Sequence, residues 1–338
     1  MVVRDSRRAS PFGGQPMVRA MKRAGLLLLP LLAAAPTVGG QAVMEGVMMR
    51  DKERLAIAVR KPGGDILLDV RPWFSLTAAK WLRKPLIRGF PILLETLVNG
   101  IKALNFSAQV AVEDDKECEI GPWAMGLTLA ASIGFALLLF VVTPHLFSLG
   151  MKALGLSGGV EDLSFHLWDG LFKMVLFLGY IVGISFLPDI RRVFEYHGAE
   201  HKVIWAFEAG AELSPTGARH FPRLHPRCGT AFLLFVLAIS ILLYAFLVPW
   251  LLPFYSPATP WLRQAYIVAL KLVLMVPVSS LAYEVIKVAG RFHTNIACRM
   301  LSAPGLFMQL LTTKEPDDRQ LEVALAALRG AVERQPAV

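Results

Sequence analysis

Long apolar runs separated by shorter polar connections make up most of this chain from about residue 124 onward. Four of these runs approach or exceed the roughly 20 residues that a transmembrane helix needs. Tryptophans lie near their ends, where amphipathic rings prefer the interface between membrane and water. The pattern therefore predicts a mainly α, polytopic membrane protein with about four transmembrane helices. The predicted spans are 124–147, 168–188, 229–252 and 265–284.

Shorter patterns predict three further elements. Apolar residues alternate on both sides of the turn KPGGD, which indicates a small N-terminal β-hairpin over 55–70. Apolar residues at helical spacing over 91–110 predict an amphipathic helix that lies in the membrane interface or packs against the bundle. Acidic residues followed by an apolar stripe predict a C-terminal soluble helix. The stripe is formed by Leu321, Ala324, Leu325 and Leu328.

These patterns divide the chain into five predicted segments. They are a variable N-terminal extension (1–38), a motif and hairpin segment (39–75), an amphipathic helical segment (76–122), a transmembrane bundle (123–300) and a cytoplasmic tail helix (301–338). Within the extension, residues 24–36 follow basic residues and mimic a secretory signal, but about a dozen apolar residues are too few to span a bilayer. We expect the extension to have little structural consequence.

Composition agrees with a membrane protein. The chain is 55% hydrophobic and 18% charged, whereas soluble domains average roughly 45–50% apolar and about 25% charged residues. The net charge of +9 could attract nucleic acid. The sequence offers no aromatic and basic patch for that role, so we expect membrane lipids and no nucleic acid as partners. Whether the chain also binds a protein partner or another copy of itself stays open.

The distribution of basic residues orients the predicted bundle. The 189–228 connection holds six lysines and arginines, while the 148–167 and 253–264 loops hold one each. Connections rich in lysine and arginine stay in the cytoplasm. The sequence therefore predicts a multi-pass membrane protein, with both termini and the 189–228 connection on the cytoplasmic side.

That connection contains the string EYHGAEHKVI, residues 195–204. The pattern over 188–210 predicts one helix, on which His197 and His201 lie on the same face with β-carbons about 5–6 Å apart. Two imidazoles so placed can bind one divalent ion. H-x-x-E-H is the inverted form of the zinc-protease signature, in which the histidines bind metal and the acid is the general base. The motif predicts His197 and His201 as metal ligands and Glu200 as the catalytic residue.

Two histidines do not complete a metal site, and three further residues are candidate ligands. His225 and Cys228 have the spacing H-x-x-C just before the third span, which suits a soft metal. A lone buried cysteine is also commonly a small packing residue, so this alternative stays open for Cys228. Glu284 ends the fourth span on the predicted cytoplasmic side, and an acid at that depth is by default a functional candidate. Its alternative is a salt bridge to Lys287.

Other residues are weaker candidates. His220 belongs to the same segment as His225, and Glu208 lies roughly 10 Å from His201 along a straight helix, too far to share its ion. The cysteines are too few and too widely spaced for a disulfide framework. They are Cys118, Cys228 and Cys298.

The alternative interpretation of the histidine motif is a surface helix with a few solvated polar residues. Its neighbours are apolar and aromatic, and polar groups in such surroundings usually have partners. Glu200 also has no cation three or four residues away other than His197. We therefore favour a metal site.

The stretch GQAVMEGVMMR (40–50) combines three methionines with one acid and one arginine. Thioethers suit a soft metal, but methionine clusters are more often adaptable packing. We favour packing, and expect the stretch to form a lid or an edge over the cytoplasmic mouth of the bundle.

Several motifs together resemble the YqhQ-like family of bacterial polytopic membrane proteins, which are described as predicted metal-dependent enzymes. The resemblance covers the chain from Gly39 onward and implies a membrane protein with a metal site, without implying a substrate. The matching motifs are GGQAVMEGVMMR (39–50), AIAVRKPGG (56–64), VFEYHGAEHKVI (193–204), HPRCGTAFLL (225–234) and APGLFMQLLTTKEPDDRQLEVALAAL (303–328).

Two classes of function follow from these observations. The first is a zinc-dependent hydrolase at the cytoplasmic interface, which keeps an open position on its ion. The second is a non-catalytic scaffold or assembly factor, in which four protein ligands close a structural site. A transporter is a third possibility, but the predicted spans offer few polar groups for it, chiefly Lys173 and Lys271.

Overall fold

The computed structural model describes residues 38–111, 122–291 and 296–333. The N-terminal part is a four-stranded antiparallel sheet with strand order β1-β2-β3-β4. Its strands are β1 Gly39–Val43, β2 Gly46–Asp51, β3 Arg54–Arg60 and β4 Ile66–Pro72. A short 3-10 helix, Lys80–Arg83, follows the sheet.

The remaining elements in the described part of the chain are helical. They are α1 Gly89–Ala111, α2 Pro122–Leu137, α3 Thr143–Ala153, α4 Leu163–Ile184, α5 Pro188–Glu208, α6 Pro215–Arg219, α7 Gly229–Leu251, α8 Pro260–Arg291, α9 Ile296–Thr312 and α10 Asp318–Val332. A π-helical segment, Leu138–Val142, joins α2 to α3.

The predicted β-hairpin is confirmed as β3 and β4, with Arg60 paired to Ile66 next to the turn. It is half of a larger sheet, because the GQAVMEGVMMR stretch forms β1 and β2 as a second hairpin. An isolated hairpin is marginally stable in water, and the additional strands and helices provide its partners. The methionine-rich stretch is therefore a structural part of the sheet, with β1 at its edge.

Helices cover both faces of the sheet, so successive side chains of β2 and β3 point alternately into two hydrophobic cores. One face packs against α5 and α10, and the other against Trp73 and α1. Met48 and Met49 lie on opposite faces and are 3% and 0% exposed, in agreement with a packing role. The residues on the first face are Val47, Met49, Ala56 and Ala58, and those on the second are Met48, Leu55, Ile57 and Val59.

The four predicted spans are confirmed as helices long and apolar enough to cross a membrane. They are Gly126–Ala153, Leu163–Ile184, Phe232–Leu251 and Pro260–Ala289. The first combines α2, the π-helical segment and α3. Large apolar side chains on these helices point away from the protein, as lipid contact requires: Leu127, Phe246 and Val273 are 73%, 69% and 67% exposed.

The C-terminal helix is confirmed as α10. Asp317 caps it through a capping box, in which Asp317 Oδ1 accepts from the Gln320 backbone N–H at 2.7 Å and Gln320 Oε1 accepts from the Asp317 N–H at 2.9 Å. Its predicted apolar stripe is buried against the sheet and α5. The helix is thus an integral layer of the fold rather than a free tail. The preceding helix, α9, was not predicted from the sequence.

The predicted amphipathic helix is confirmed as α1, but part of its polar stripe faces inward. Glu95 and Asn99 are 1% and 2% exposed, whereas Leu97 is 52% exposed. The Glu95 carboxylate accepts hydrogen bonds from Trp73 Nε1, the Ser75 hydroxyl and the Thr77 backbone N–H. The polar stripe therefore binds the segment after β4, while Ala103 and Val110 of the same helix pack against the sheet.

Candidate metal centre

Helix α5 presents the two motif histidines on successive turns. His197 and His201 are 9% and 1% exposed, and their ring centroids are 4.5 Å apart. Tyr196, Ala199 and Val203 pack this helix against the sheet and α10. This packing fixes the orientation of α5 about its axis. The face that carries the histidines is therefore directed at the residues just before α7.

Cys228 is the N-cap of α7 and approaches the histidines from that side. Its Sγ lies 3.2 Å from His197 Nε2 and 3.1 Å from the Thr230 hydroxyl, and it accepts from the Thr230 backbone N–H at 3.4 Å. Cys228 is a buried free cysteine, 8% exposed. The positive end of a helix favours anions, so the first turn of α7 suits a thiolate ligand.

Backbone carbonyls fix the orientation of both imidazoles. His197 Nδ1 lies 2.8 Å from the Thr312 carbonyl oxygen, and His201 Nδ1 lies 2.6 Å from that of Arg223. A carbonyl oxygen only accepts, so each Nδ1 carries the proton and each Nε2 keeps its lone pair. Carbonyl partners of this kind typically orient histidines that bind metals. Burial also lowers the pKa of His201, which favours the neutral ring that a metal needs.

The three side chains converge. One ligand atom from each of His197, His201 and Cys228 lies within 4.8 Å of the other two. A tetrahedral zinc with bonds of about 2.0 to 2.3 Å separates its ligands by roughly 3.3 to 3.8 Å, so a shift on the order of 1 Å brings all three into range. His197 Nε2 accepts a hydrogen bond from the Cys228 thiol. Metal binding displaces a thiol proton of this kind. The donor set fits zinc.

Glu200 is buried beside this group. It is 5% exposed, and its Oε2 atom has no hydrogen-bond partner among the residues that the structure describes. Burial raises the pKa of the Glu200 carboxyl, while electrostatic interactions with His197 and His225 and a hydrogen bond from the Gly40 N–H oppose the rise. A buried carboxyl with a free oxygen is costly unless a further partner is present.

Gly40, in β1, makes room for the Glu200 side chain. A β-carbon at this position would lie 2.9 Å from both Cγ and Cδ of Glu200 and 2.8 Å from the Met48 carbonyl oxygen. Edge strand β1 therefore closes over the acid of the histidine motif.

His225 lies near the group but has a different environment. Its ring centroid is 5.7 Å from that of His201 and 4.7 Å from Trp205. Its Nδ1 accepts from the Arg227 backbone N–H at 3.3 Å, which leaves the proton on Nε2, 3.7 Å from Glu208 Oε2. Burial lowers the pKa of His225 to about 4. In this tautomer neither nitrogen offers a lone pair to an ion.

The structure brings Glu284 to a different partner. Its carboxylate binds the Arg88 guanidinium at both oxygens, at 2.8 Å and 2.6 Å, and accepts from the Leu86 backbone N–H at 3.3 Å. Glu284 is absent from the group of converging ligands in the described chain. The sequence indicated a salt bridge as the alternative, but to Lys287. The partner observed is Arg88, the residue immediately before α1, which sequence spacing does not reveal.

The structure also shows the surroundings of the two weaker candidates, Glu208 and His220. Glu208 forms an ion pair with Arg227, and His220 is an exposed residue that follows α6. Neither joins the group of His197, His201 and Cys228.

Sequence reasoning missed the residues that support the ligands. They are backbone groups of Thr312 and Arg223 and the glycine at position 40. Gln309 of α9 makes two hydrogen bonds to the backbone of His225, at 2.8 Å and 2.9 Å, and holds the connection in place. Backbone carbonyls have no side-chain signature, and only the fold brings them to the histidines.

The fold and site define a polytopic membrane protein with a buried histidine and cysteine group at one end of its bundle. Residues 84–334 match the family described as Protein of unknown function (DUF1385). The chain is 34% identical over 300 residues to the "Uncharacterized protein YqhQ" of Bacillus subtilis (strain 168), a match that covers 86% of this chain and 90% of that protein. No solved structure matches the chain. The chain belongs to this family, and the predicted resemblance to YqhQ-like proteins is confirmed.

Proposed function

We propose that the protein is a zinc-dependent hydrolase of the bacterial inner membrane, with its site at the cytoplasmic interface. His197, His201 and Cys228 are the ligands, and Glu200 is the general base. The proposal rests on Glu200 Oε2, which has no hydrogen-bond partner among the described residues and belongs to the same helix as two of the three converging ligands. A catalytic zinc keeps an open position, whereas a structural zinc usually has four protein ligands.

Each residue has a distinct part in this proposal. Zinc, when bound, supplies a Lewis acid that lowers the pKa of a coordinated water to about 7. The carbonyls of Thr312 and Arg223 hold both Nε2 lone pairs toward one point. Glu200 accepts a proton at Oε2 from the attacking water and returns it to the leaving group. Burial of these side chains keeps bulk water away from the reacting groups.

The position of these ligands limits the classes of substrate that can reach them. Cys228 lies four residues before Phe232, where the third span begins. A substrate must therefore be reachable at the membrane surface, as a membrane peptide or a lipid-linked molecule is. The basic 189–228 connection supports a cytoplasmic orientation.

A second candidate function rests on the burial of the group. His197, His201 and Cys228 are all at most 9% exposed. A structural zinc that joins α5 to the start of α7 would need no access from solvent, and the protein would then be a scaffold or an assembly factor. This function requires a fourth protein ligand, and His225 would supply one if its ring turned so that a nitrogen lone pair faced the ion.

Zinc X-ray absorption of the full chain in mild detergent distinguishes the two functions. We expect two nitrogen ligands, one sulfur ligand and one exchangeable oxygen ligand. Cobalt-substituted protein should bind azide at the open position. Four protein ligands and no azide binding would support the structural site and overturn the hydrolase.

The role of Glu200 needs a separate readout. Glu200→Gln should keep the metal but shift the pH dependence of the visible cobalt spectrum. An unchanged pH profile in this variant would exclude Glu200 as the base.

A further inference from the structure

A second group of ionisable side chains lies inside the transmembrane bundle. His145 comes from the first span, Asp169 and Lys173 from the second, and Lys271 from the fourth. They are 1%, 2%, 7% and 1% exposed. Ionisable residues within transmembrane segments are rare and are functional candidates by default.

This group is remote from the candidate metal centre along the helices. Asp169 lies 15 residues before Ile184, the end of α4 from which the chain enters α5. At 1.5 Å per residue this is about 22 Å. Lys271 lies 11 residues, or roughly 17 Å, from Pro260, where α8 begins at the opposite end of the bundle. We call the end where α4 and α8 begin the distal end.

One carboxylate in the group faces two ammonium groups. Asp169 Oδ1 accepts from Lys271 Nζ at 2.8 Å, and Asp169 Oδ2 accepts from Lys173 Nζ at 3.3 Å. Aromatic rings complete the surroundings: Lys173 Nζ lies 5.1 Å from the Tyr244 ring centroid, and Lys271 Nζ lies 5.9 Å from that of Phe165. The Tyr244 hydroxyl donates to the Lys271 carbonyl rather than to a charge.

The charges of this group do not balance, so one of its protons is bound more weakly than the others. Two ammonium groups against one carboxylate leave an excess positive charge, and an uncompensated charge in an apolar interior is costly. Loss of a proton from one lysine removes that cost. A buried lysine readily loses its charge.

His145 is placed to receive that proton from Lys271. Its Nδ1 lies 3.4 Å from Lys271 Nζ, and its Nε2 lies 2.9 Å from Gln264 Oε1. An amide oxygen only accepts, so Nε2 carries a proton and Nδ1 has a lone pair directed at the lysine. Gln264 is a partly exposed residue four positions into α8. A hydrogen-bonded chain thus runs from Asp169 through Lys271 and His145 to the distal end.

A second proton acceptor, His166, lies beside this hydrogen-bonded chain of side chains. His166 is 1% exposed, and its Nε2 lies 3.0 Å from the Val160 carbonyl oxygen. Its Nδ1 has no hydrogen-bond partner within the described residues. A buried lone pair without a donor is a further sign that the group takes up a proton.

We propose that Lys271 and His145 form an intramembrane proton-binding site that exchanges one proton with the distal side through Gln264. On release, the Lys271 ammonium transfers a proton to His145 Nδ1, and His145 gives up its Nε2 proton to water at Gln264, leaving a neutral amine. Uptake reverses these steps, and no other bond forms or breaks. The polar atoms contact one another directly, so the site holds a proton rather than a larger ion.

Solid-state NMR of the full chain in lipid bilayers, with ¹⁵N-labelled histidine, tests the site. The His145 signal is assigned from its loss in His145→Gln. We expect its ring nitrogens to pass through a single transition within roughly pH 5 to 10. Lys271→Met should abolish this change of the proton between the two ring nitrogens, because it removes the ammonium group that exchanges a proton with His145 Nδ1. Lys152→Met, at an exposed lysine of the same distal end, is the matched control and should leave the midpoint unchanged.

A further variant tests the route. Gln264→Leu should slow the exchange of the His145 ring proton by roughly fivefold to tenfold, as expected for one lost hydrogen bond, with little change in the midpoint. A His145 signal that is constant over the whole pH range in the unmodified protein would overturn the proposal without any variant. So would a transition that disappears when chloride is replaced by gluconate, since it would then report an anion.

Discussion

The Nδ1 atom of His197 lies 2.8 Å from the carbonyl oxygen of Thr312, the last residue of α9. The segment after α9 then runs along α5, where the Lys314 N–H donates to the Phe194 carbonyl at 2.8 Å. Orientation of a candidate ligand therefore depends on the close approach of two segments that are 115 residues apart.

Gly198 permits that approach, since a β-carbon there would collide with the Lys314 carbonyl oxygen. We expect Gly198→Ala to destabilise the protein by about 1–3 kcal/mol. Displacement of Thr312 should also weaken zinc binding by roughly 10- to 100-fold. Unfolding in detergent and metal competition measure the two effects.

Gly183→Ala is the matched control for that change. Gly183 is also helical, but nothing lies within 4 Å of its would-be β-carbon. The control should not destabilise the protein and should stabilise it by up to about 1 kcal/mol, because alanine favours a helix over glycine. Equal effects of the two substitutions would contradict the role assigned to Gly198.

The contact between Gly40 and Glu200 gives a second prediction. Gly40→Ala should destabilise the protein by about 1–3 kcal/mol, because the new methyl group would press on Glu200 and on the Met48 carbonyl. Gly39→Ala, in the same strand with open space around it, should be close to neutral. Unfolding of the two variants under identical detergent conditions provides the comparison. A neutral Gly40→Ala would show that β1 does not close over the acid.

The ion pair of Arg88 and Glu284 gives a third prediction. Glu284→Gln should leave the zinc content unchanged and lower the free energy of unfolding by about 1–3 kcal/mol, since a partly buried arginine loses its charged partner. Elemental analysis beside thermal unfolding separates the two effects. Loss of zinc in this variant would restore Glu284 as a ligand.

Glu95 gives a prediction about acid. Burial alone would raise the pKa of Glu95, but hydrogen bonds from Thr77, Trp73 and Ser75 hold it below the ordinary value of 4.5. A carboxyl with a lowered folded pKa stabilises the protein above its unfolded pKa, and this contribution is lost as the pH falls through the folded pKa.

The variant Glu95→Gln should therefore be less stable than the natural protein by about 1–3 kcal/mol at neutral pH. The difference should shrink as the pH falls below 4.5. Unfolding measured at several pH values gives the comparison. If the difference in stability between the two proteins does not depend on pH, the negative charge of Glu95 is not what stabilises its hydrogen bonds to Trp73, Ser75 and Thr77.

The sequence predicted most elements because each has a local periodicity. The four spans, the β3–β4 hairpin, α1 and α10 all follow from the spacing of apolar residues. The strands β1 and β2 were missed since glycines and methionines obscure their alternation. Helix α9 was missed because Pro304 and Gly305 interrupt an otherwise helical pattern. The inward direction of Glu95 depends on the segment after β4, which periodicity does not report.

The candidate site was predicted only as far as its side chains. His197, His201 and Glu200 follow from one motif on one helix, and Cys228 was one of three open candidates for a third ligand. The fold selects Cys228 for the converging group, because the start of α7 faces α5. It gives Glu284 to Arg88 and leaves His225 in a tautomer directed at Glu208. These choices depend on contacts between segments far apart in sequence.

The metal content of the purified full chain tests the central claim most directly. Protein prepared in mild detergent without chelators should carry about one zinc per chain. His197→Ala/His201→Ala should lose it, while His220→Ala, at an exposed histidine of the same connection, should keep it. Zinc-free natural protein that stays folded and does not take up added zinc would contradict the account, and His197, His201 and Cys228 would then be a buried polar packing group.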